Sequence, residues 1–206
     1  MCGVVGFSGQ ATDNDRAAFL NLCRESCIRG LHAFGIAYYD GDKELHIVKD
    51  TSFPVAANAV PAKLPNKIIF HNRYCTSGNP ADHRNNQPIC VDGDALVFNG
   101  TVDMGTLQEM KTRSGYDLST ENDGEIVLRD YQQGKPWAHL NDGQTFAGII
   151  LCHDGTMLAL RNKNRPLWCV RGEGGTFITS TQDIAVRAGF DKNKCLPVEP
   201  YVIHPI

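Results

Sequence analysis

A cysteine stands second in the chain, in "MCGVVGFSGQ". Loss of Met1 would leave Cys2 carrying a thiol and a free α-amine together. The amine can take the proton that the thiol must lose, so the pair is a route to an activated nucleophile. An ordinary cysteine titrates near about 8.5 and is mostly thiol at neutral pH, whereas an α-amine near about 8 is already partly neutral there. Cys2 is also small enough for routine methionine removal. Three further polar clusters interrupt apolar stretches: "HNRYCTSG" at 71–78, "FNG" at 98–100 and "NDGE" at 122–125. Asn99 offers a side-chain amide donor and Gly100 an unshielded backbone N–H, two donors that can form an oxyanion hole. Arg73 can hold a carboxylate through two parallel hydrogen bonds. Asp123 can accept from an ammonium. A carboxylate grip and an ammonium grip together describe recognition of a free amino-acid head group.

Each cluster also has an ordinary reading. Cys2 can be a small core residue and Arg73 the partner of a surface carboxylate. Asn99-Gly100 can be a hairpin turn, and Asp123 a helix cap with Glu125 in the first turn. Singly, these readings compete with the chemical ones everywhere except at Cys2. Together, the four clusters supply complementary parts of one reaction.

The elements that must position them follow from the apolar pattern. Val4 to Phe7 reads as a buried strand. Asp15 to Arg29 reads as a helix capped by Asp13 or Asn14, with Leu20, Cys23, Cys27 and Ile28 on one side. "FGIAYYDGDKELHIVKD" reads as a hairpin turning at Asp40–Lys43, and Pro54 to Lys67 as a polar loop. "KIIFHNRYCT" is a strand ending in polar residues, Ser77 to Pro88 a loop, and "DALVFNGTV" a further strand. Helices are predicted at Thr106–Arg113, Glu125–Gln133 and Gln182–Ala188. Hairpins are predicted around Asp154–Gly155 and Gly172–Gly175. Many hairpin strands with few helices between them predict an α+β fold, antiparallel sheets with helices packed on their faces.

Length and composition bound the rest. A chain of 206 residues that is 42% apolar can bury a sizeable core, and a single domain over 1–206 is expected. The net charge of −3 gives no basic surplus for nucleic acid or an anionic membrane. Nothing approaches a membrane-spanning run or a signal peptide, so a cytoplasmic location is expected. The eight cysteines are scattered; Cys23 and Cys27 share a helix face but have no matching second pair, so no metal is expected.

The ordered set of motifs resembles the class II glutamine amidotransferases of the N-terminal nucleophile hydrolase superfamily. "MCGVVG" stands for the opening Met-Cys-Gly, and "IRGLHAFGI" for an Arg-Gly before a Gly-Ile strand. His71, Arg73, Tyr74 and Thr76 form the His-x-Arg-Tyr/Trp-x-Thr strand end. Asn99-Gly100 and Asp123-x-Glu125 follow, and "RNKNRPL" and "STQDIA" resemble the closing segments. Nearly the whole chain is covered, in order.

The resemblance implies a four-layer αββα sandwich and a set of roles. Cys2 is the nucleophile and its amine the base, directly or through a water. Arg29 fixes the geometry beside it. Asn99 and Gly100 stabilise the oxyanion. Arg73, supported by Tyr74 and Thr76, holds the glutamine α-carboxylate, and Asp123 the α-ammonium. The loop from Ser77 to Pro88 stands where the family has a mobile cover.

There are departures: Phe98 replaces a frequent histidine, Asp103 a common asparagine, and Cys75 a small apolar residue. No cofactor is implied. L-glutamine is the implied substrate, with ammonia passed to a separate synthetase subunit. The alternatives are a stand-alone γ-glutamyl amidohydrolase acting on a larger γ-glutamyl compound and an inactive glutamine-sensing subunit.

Overall fold

The computed structural model describes residues 1–40, 44–76, 78–141 and 143–206. Most of the predicted hairpin turn at Asp40–Lys43, and the first residue of the Ser77–Pro88 loop, lie outside the described residues. The elements are β1 (Gly3–Gly9), α1 (Asp13–Ser26), β2 (Ala33–Tyr39), β3 (Leu45–Asp50), α2 (Phe53–Asn58), β4 (Lys67–Arg73), β5 (Ile89–Val91), β6 (Asp94–Thr101), α3 (Leu107–Ser114), α4 (Gly124–Gln132), β7 (Thr145–Leu151), β8 (Met157–Arg161), β9 (Trp168–Arg171), β10 (Gly175–Thr179), α5 (Gln182–Arg187), β11 (Cys195–Pro197) and β12 (His204–Pro205).

The strands form two antiparallel sheets, one seven-stranded in the order β11-β9-β10-β1-β4-β2-β3, the other five-stranded in the order β12-β8-β7-β6-β5. Alternation decides what each face buries. Val4, Ala37, Ile69 and Ile178 of the first sheet meet Ala95, Val97, Ala147 and Ile149 of the second in an inner core. The opposite face of the first sheet carries Val5, Phe7, Phe70 and Phe177, which pack under α1, α2 and α5 with Phe19, Leu22, Ala56 and Ile184. The opposite face of the second carries Leu96, Phe98, Phe146 and Ile150 against Val127 and Leu128 of α4. The result is the expected αββα layering. Fully buried side chains such as Phe7, Phe70 and Phe146 each stabilise it by about 2–3 kcal/mol.

Several boundaries differ from the sequence reading. The first helix starts at Asp13, not Asp15, and its cap is Thr12, not Asp13 or Asn14. Thr12 and Asp15 form a reciprocal capping box, in which Asp15 accepts from the Thr12 N–H at 2.9 Å. The helix stops at Ser26, and residues 27–29 tighten into a 3₁₀ turn. The stretch read as a loop from Pro54 contains α2, because proline is tolerated in a first helical turn where its missing N–H has no partner to lose. Asn99-Gly100 is not a turn but part of β6, opposite Ala147 and Phe146. Asp123 stands at the start of α4, yet its side chain makes no capping bond. All eight cysteines are free, and Cys27 Sγ lies 3.3 Å from the Cys23 carbonyl. No helix among the described residues is long and apolar enough to cross a membrane.

Candidate active site

Cys2 sits at the mouth of the sandwich, just ahead of β1. Register places Gly3 opposite Asn72 of β4, and Val4 is clamped by Ser180: its N–H donates to Ser180 Oγ at 2.8 Å and its carbonyl accepts from the Ser180 N–H at 3.1 Å. The backbone around Cys2 is therefore fixed on both edges. Arg29 adds a third constraint, donating from Nε to the Cys2 carbonyl at 2.6 Å.

The glycines on either side are needed for close approach. A Cβ at Gly3 would lie 2.0 Å from Asn72 Oδ1, and one at Gly30 would lie 2.4 Å from the Arg73 carbonyl carbon. This explains the Arg29-Gly30 pair. The arginine reaches the Cys2 carbonyl while the glycine lets the chain pass against the end of β4. Asn72, fully buried, ties the two together by accepting from Ser26 Oγ at 2.8 Å and donating to the Gly30 carbonyl at 3.0 Å.

Asn99 faces the inner layer, in phase with Ala95 and Val97. Its Oδ1 accepts from the Cys2 N–H at 3.1 Å. Its Nδ2 is buried and has no hydrogen-bond partner among the described residues. A buried amide donor left unpaired costs roughly 1–3 kcal/mol. Gly100 lies one step further along β6. Groups two residues apart on a strand share an edge, and the Phe98 N–H already points away from β7, to Gln87 Oε1 at 2.5 Å. The Gly100 N–H therefore lies on that same open edge.

Burial pushes the Cys2 thiol above its ordinary value, opposed by the Tyr74 backbone and by the positive charges of the α-amine, Arg73 and Arg29. The Sγ–O distance to Tyr74 is 3.7 Å. The α-amine, here on Met1, moves the other way. Burial lowers it, the Cys2 thiolate raises it, and Arg29 and Arg165 lower it further. Both guanidinium groups lie close to Met1 Sδ, at 3.6 Å for Arg29 Nη2 and 3.5 Å for Arg165 Nη1.

Arg73 is 5% exposed at the inner end of β4 and donates from Nη1 to Asn86 Oδ1 at 2.6 Å. Asn86, fully buried, also donates to the Pro80 carbonyl at 2.7 Å. The loop that ends at Pro88 is thus pinned to the arginine it covers. Asp123 accepts through Oδ2 from the Val102 and Asp103 N–H groups, at 2.6 and 3.0 Å. Burial holds its carboxyl above the usual range, with the two backbone bonds working against that rise. Glu125, fully buried, organises the turn before it: its carboxylate accepts from the Ser119 N–H at 3.0 Å and the Thr120 N–H at 2.9 Å.

Cys2, Arg29, Asn99 and the Tyr74 backbone are directly linked by hydrogen bonds, Arg73 lies close enough to act on the thiol, and Asp123 is anchored just past the end of β6. The Tyr74 side chain is half exposed with its ring against His32, centroids 5.2 Å apart. Thr76 is exposed. The departures fall outside the linked group. Phe98 turns to the α4 face and stacks on Phe146 at 5.3 Å; Asp103 pairs with Arg113; Cys75 Sγ contacts the Gly78 carbonyl. Sequence reading missed Ser26, Asn72, Asn86, Gln87 and Ser180, polar residues buried without a local reason. A cavity of about 560 Å³ lies at the opposite end of the strands between Tyr39, Leu64, Lys67 and His153.

No family model matches the chain. Among curated proteins it is similar to the glutamine–fructose-6-phosphate aminotransferase [isomerizing] of Corynebacterium efficiens, 27% identical over 202 residues, covering 87% of this chain and 32% of that protein. The Corynebacterium glutamicum protein of the same name is 28% identical over 207 residues, again 87% of this chain and 32% of that one. The chain thus spans about a third of the length of these relatives. Among solved structures, the glutamine phosphoribosylpyrophosphate amidotransferase from B. subtilis superposes with a TM-score of 0.73 at 21% identity, over 97% of this chain and 46% of that one. A glutamine aminotransferase class-II domain protein from Silicibacter pomeroyi gives 0.58 at 13% identity, over 97% and 92%. The chain is thus similar in sequence to glutamine–fructose-6-phosphate aminotransferases and shares its fold with solved glutamine amidotransferases.

Proposed function

We propose that this domain hydrolyses the side-chain amide of L-glutamine through a γ-glutamyl thioester on Cys2, once Met1 is removed, and that the ammonia serves a separate synthetase. One observation carries the reading: Asn99 accepts from the Cys2 nitrogen through Oδ1 while its buried Nδ2 stays unpaired. Loss of Met1 would turn that nitrogen into the α-amine. The amine, neutral, takes the thiol proton as sulfur attacks the amide carbon. Negative charge develops on the amide oxygen, where Asn99 Nδ2 and the Gly100 N–H stabilise it. The nitrogen of the substrate leaves as ammonia, carrying the proton the amine had taken, and water then releases glutamate. Arg73 holds the α-carboxylate and Asp123 the α-ammonium, so both act on substrate binding. Glutamate release from glutamine by the purified protein, followed with and without added γ-glutamyl amides, tests this reading. Release from neither substrate would refute it.

Arg73→Lys keeps the charge but loses the two-pronged geometry. It is expected to raise KM for glutamine roughly ten-fold with kcat within about three-fold, since a carboxylate grip is used equally in ground and transition states. Initial-rate kinetics check this.

The pH profile follows from the amine. Its neutral form is the base; in the unprocessed chain burial, with Arg29 and Arg165, lowers the Met1 α-amine, and the same two cations are expected to act on the Cys2 amine that loss of Met1 creates. A lower pKa means the neutral form prevails at lower pH. The rising limb of kcat/KM is therefore expected below the ordinary α-amine value of about 8. Arg165→Leu removes one of the cations that favour deprotonation, so the limb is expected to shift to higher pH.

A further inference from the structure

We propose that His71 is a positioning residue of the oxyanion site, bracing the peptide that carries Asn99. The inference rests on the glutaminase reading above and extends it to a residue outside the reacting set. His71 lies on β4 of the seven-stranded sheet, in phase with Ile69 and so facing the inner layer, and it is fully buried. Its Nε2 lies 3.2 Å from the Phe98 carbonyl of β6, in the other sheet. A carbonyl only accepts, so Nε2 carries the proton and donates.

That carbonyl belongs to the peptide whose nitrogen is Asn99's. The Phe98 N–H, on the same edge, donates to Gln87 Oε1 at 2.5 Å. Beyond β5, which pairs β6 only over Asp94–Leu96, this edge has no neighbouring strand among the described residues. Two side chains take the place of one, and between them they hold both backbone groups of Phe98. The next N–H on that edge is Gly100's, and the side chain between the two positions is Asn99's. A brace at Phe98 therefore fixes both oxyanion donors at once. It also fixes them relative to the other sheet, since β4, which carries His71, pairs directly with β1 behind Cys2.

Burial, with the nearby cations Arg73 and Lys49, pushes the imidazole down to about 3. His71 thus stays neutral across the working range and acts as a fixed one-proton donor, not as a base. Its Nδ1 has no partner, as expected for the lone pair of that tautomer.

The test compares His71→Leu, which removes the donor, with His71→Gln, whose amide nitrogen lies about as far from Cβ as Nε2. Expected for His71→Leu is a ten- to hundred-fold fall in kcat for glutamine, with KM within about three-fold, because misplacing donors by about an ångström weakens only transition-state contacts. His71→Gln is expected to recover most of the loss. Amide hydrogen exchange at 98–100 is expected to quicken in His71→Leu and not in His71→Gln. Should His71→Leu fail to fold, Gln87→Ala removes the opposite brace and is expected to show the same split between kcat and KM. Wild-type kcat in the folded variants, a change confined to KM, or no recovery by His71→Gln would overturn the proposal. A wild-type protein that does not turn over glutamine would refute the underlying reading, and this inference with it. Activity in the wild type, lost in Cys2→Ala but unchanged in His71→Leu, would overturn the inference alone.

Discussion

Cys2→Ala is expected to abolish glutamine hydrolysis, a loss of more than about 10⁴-fold in kcat, with the fold intact. The size follows from the mechanism. Without sulfur no thioester forms, and what remains is water attacking a bound amide in an oxyanion hole. The fold is expected to survive because the bonds that fix the residue 2 backbone do not use its side chain, whose own bond to the Tyr74 carbonyl is long, at 3.7 Å. Its nitrogen donates to Asn99 and its carbonyl accepts from Arg29, and neither bond uses the side chain. The side chain is half-buried at the mouth, outside the three main cores. Glutamate release and thermal unfolding, measured on one preparation, check both halves. Comparable turnover in Cys2→Ala would mean that another group attacks the amide.

The second large effect is at Asn99. Asn99→Ala is expected to cost about 2.7–4 kcal/mol of transition-state stabilisation, a 10²–10³-fold fall in kcat, with a much smaller change in KM. The donor that is lost contacts the oxygen only as it becomes charged, so ground-state binding loses little. Asn99→Asp separates the two jobs of the side chain. It keeps an oxygen to accept from the Cys2 nitrogen but replaces the Nδ2 donor with a negative charge facing the developing oxyanion. It is expected to be slower than Asn99→Ala. If Asn99→Asp retained near-wild-type turnover, the side chain would serve only to orient Cys2, and the oxyanion role would be wrong.

The residues proposed for the site were legible because each sits in a short local motif of unusual composition. Cys2 next to Gly3, Arg29 next to Gly30, and Asn99 next to Gly100 are readable without knowing the fold. So were the strands, whose alternation places Val97 and Asn99 on one face and Phe98 on the other. What could not be read was support at a distance. Asn72 joins Ser26 and Gly30, positions more than forty residues away in the chain. Asn86 ties Arg73 to the loop over it, and Gln87 completes an edge of β6. In sequence these are polar residues in or near a loop; only the packing of two sheets gives them partners. The helix at Phe53–Asn58 was hidden for another reason: a proline early in the first turn reads as a loop signal when it equally suits a helix start. At Asp123 the sequence offered a helix cap, and position agreed while chemistry did not, since its carboxylate is turned to Val102 and Asp103 instead.

The central claim is that the sulfur of Cys2 and an amine on the same residue act together on glutamine. Rapid acid quenching during turnover, followed by intact-mass and peptide analysis, addresses it directly. The expected result is a population lacking Met1 and heavier by one glutamyl group, with the added mass confined to the peptide that begins at Cys2. Turnover by a preparation that fully retains Met1, or a glutamyl group trapped on any other residue, would contradict it.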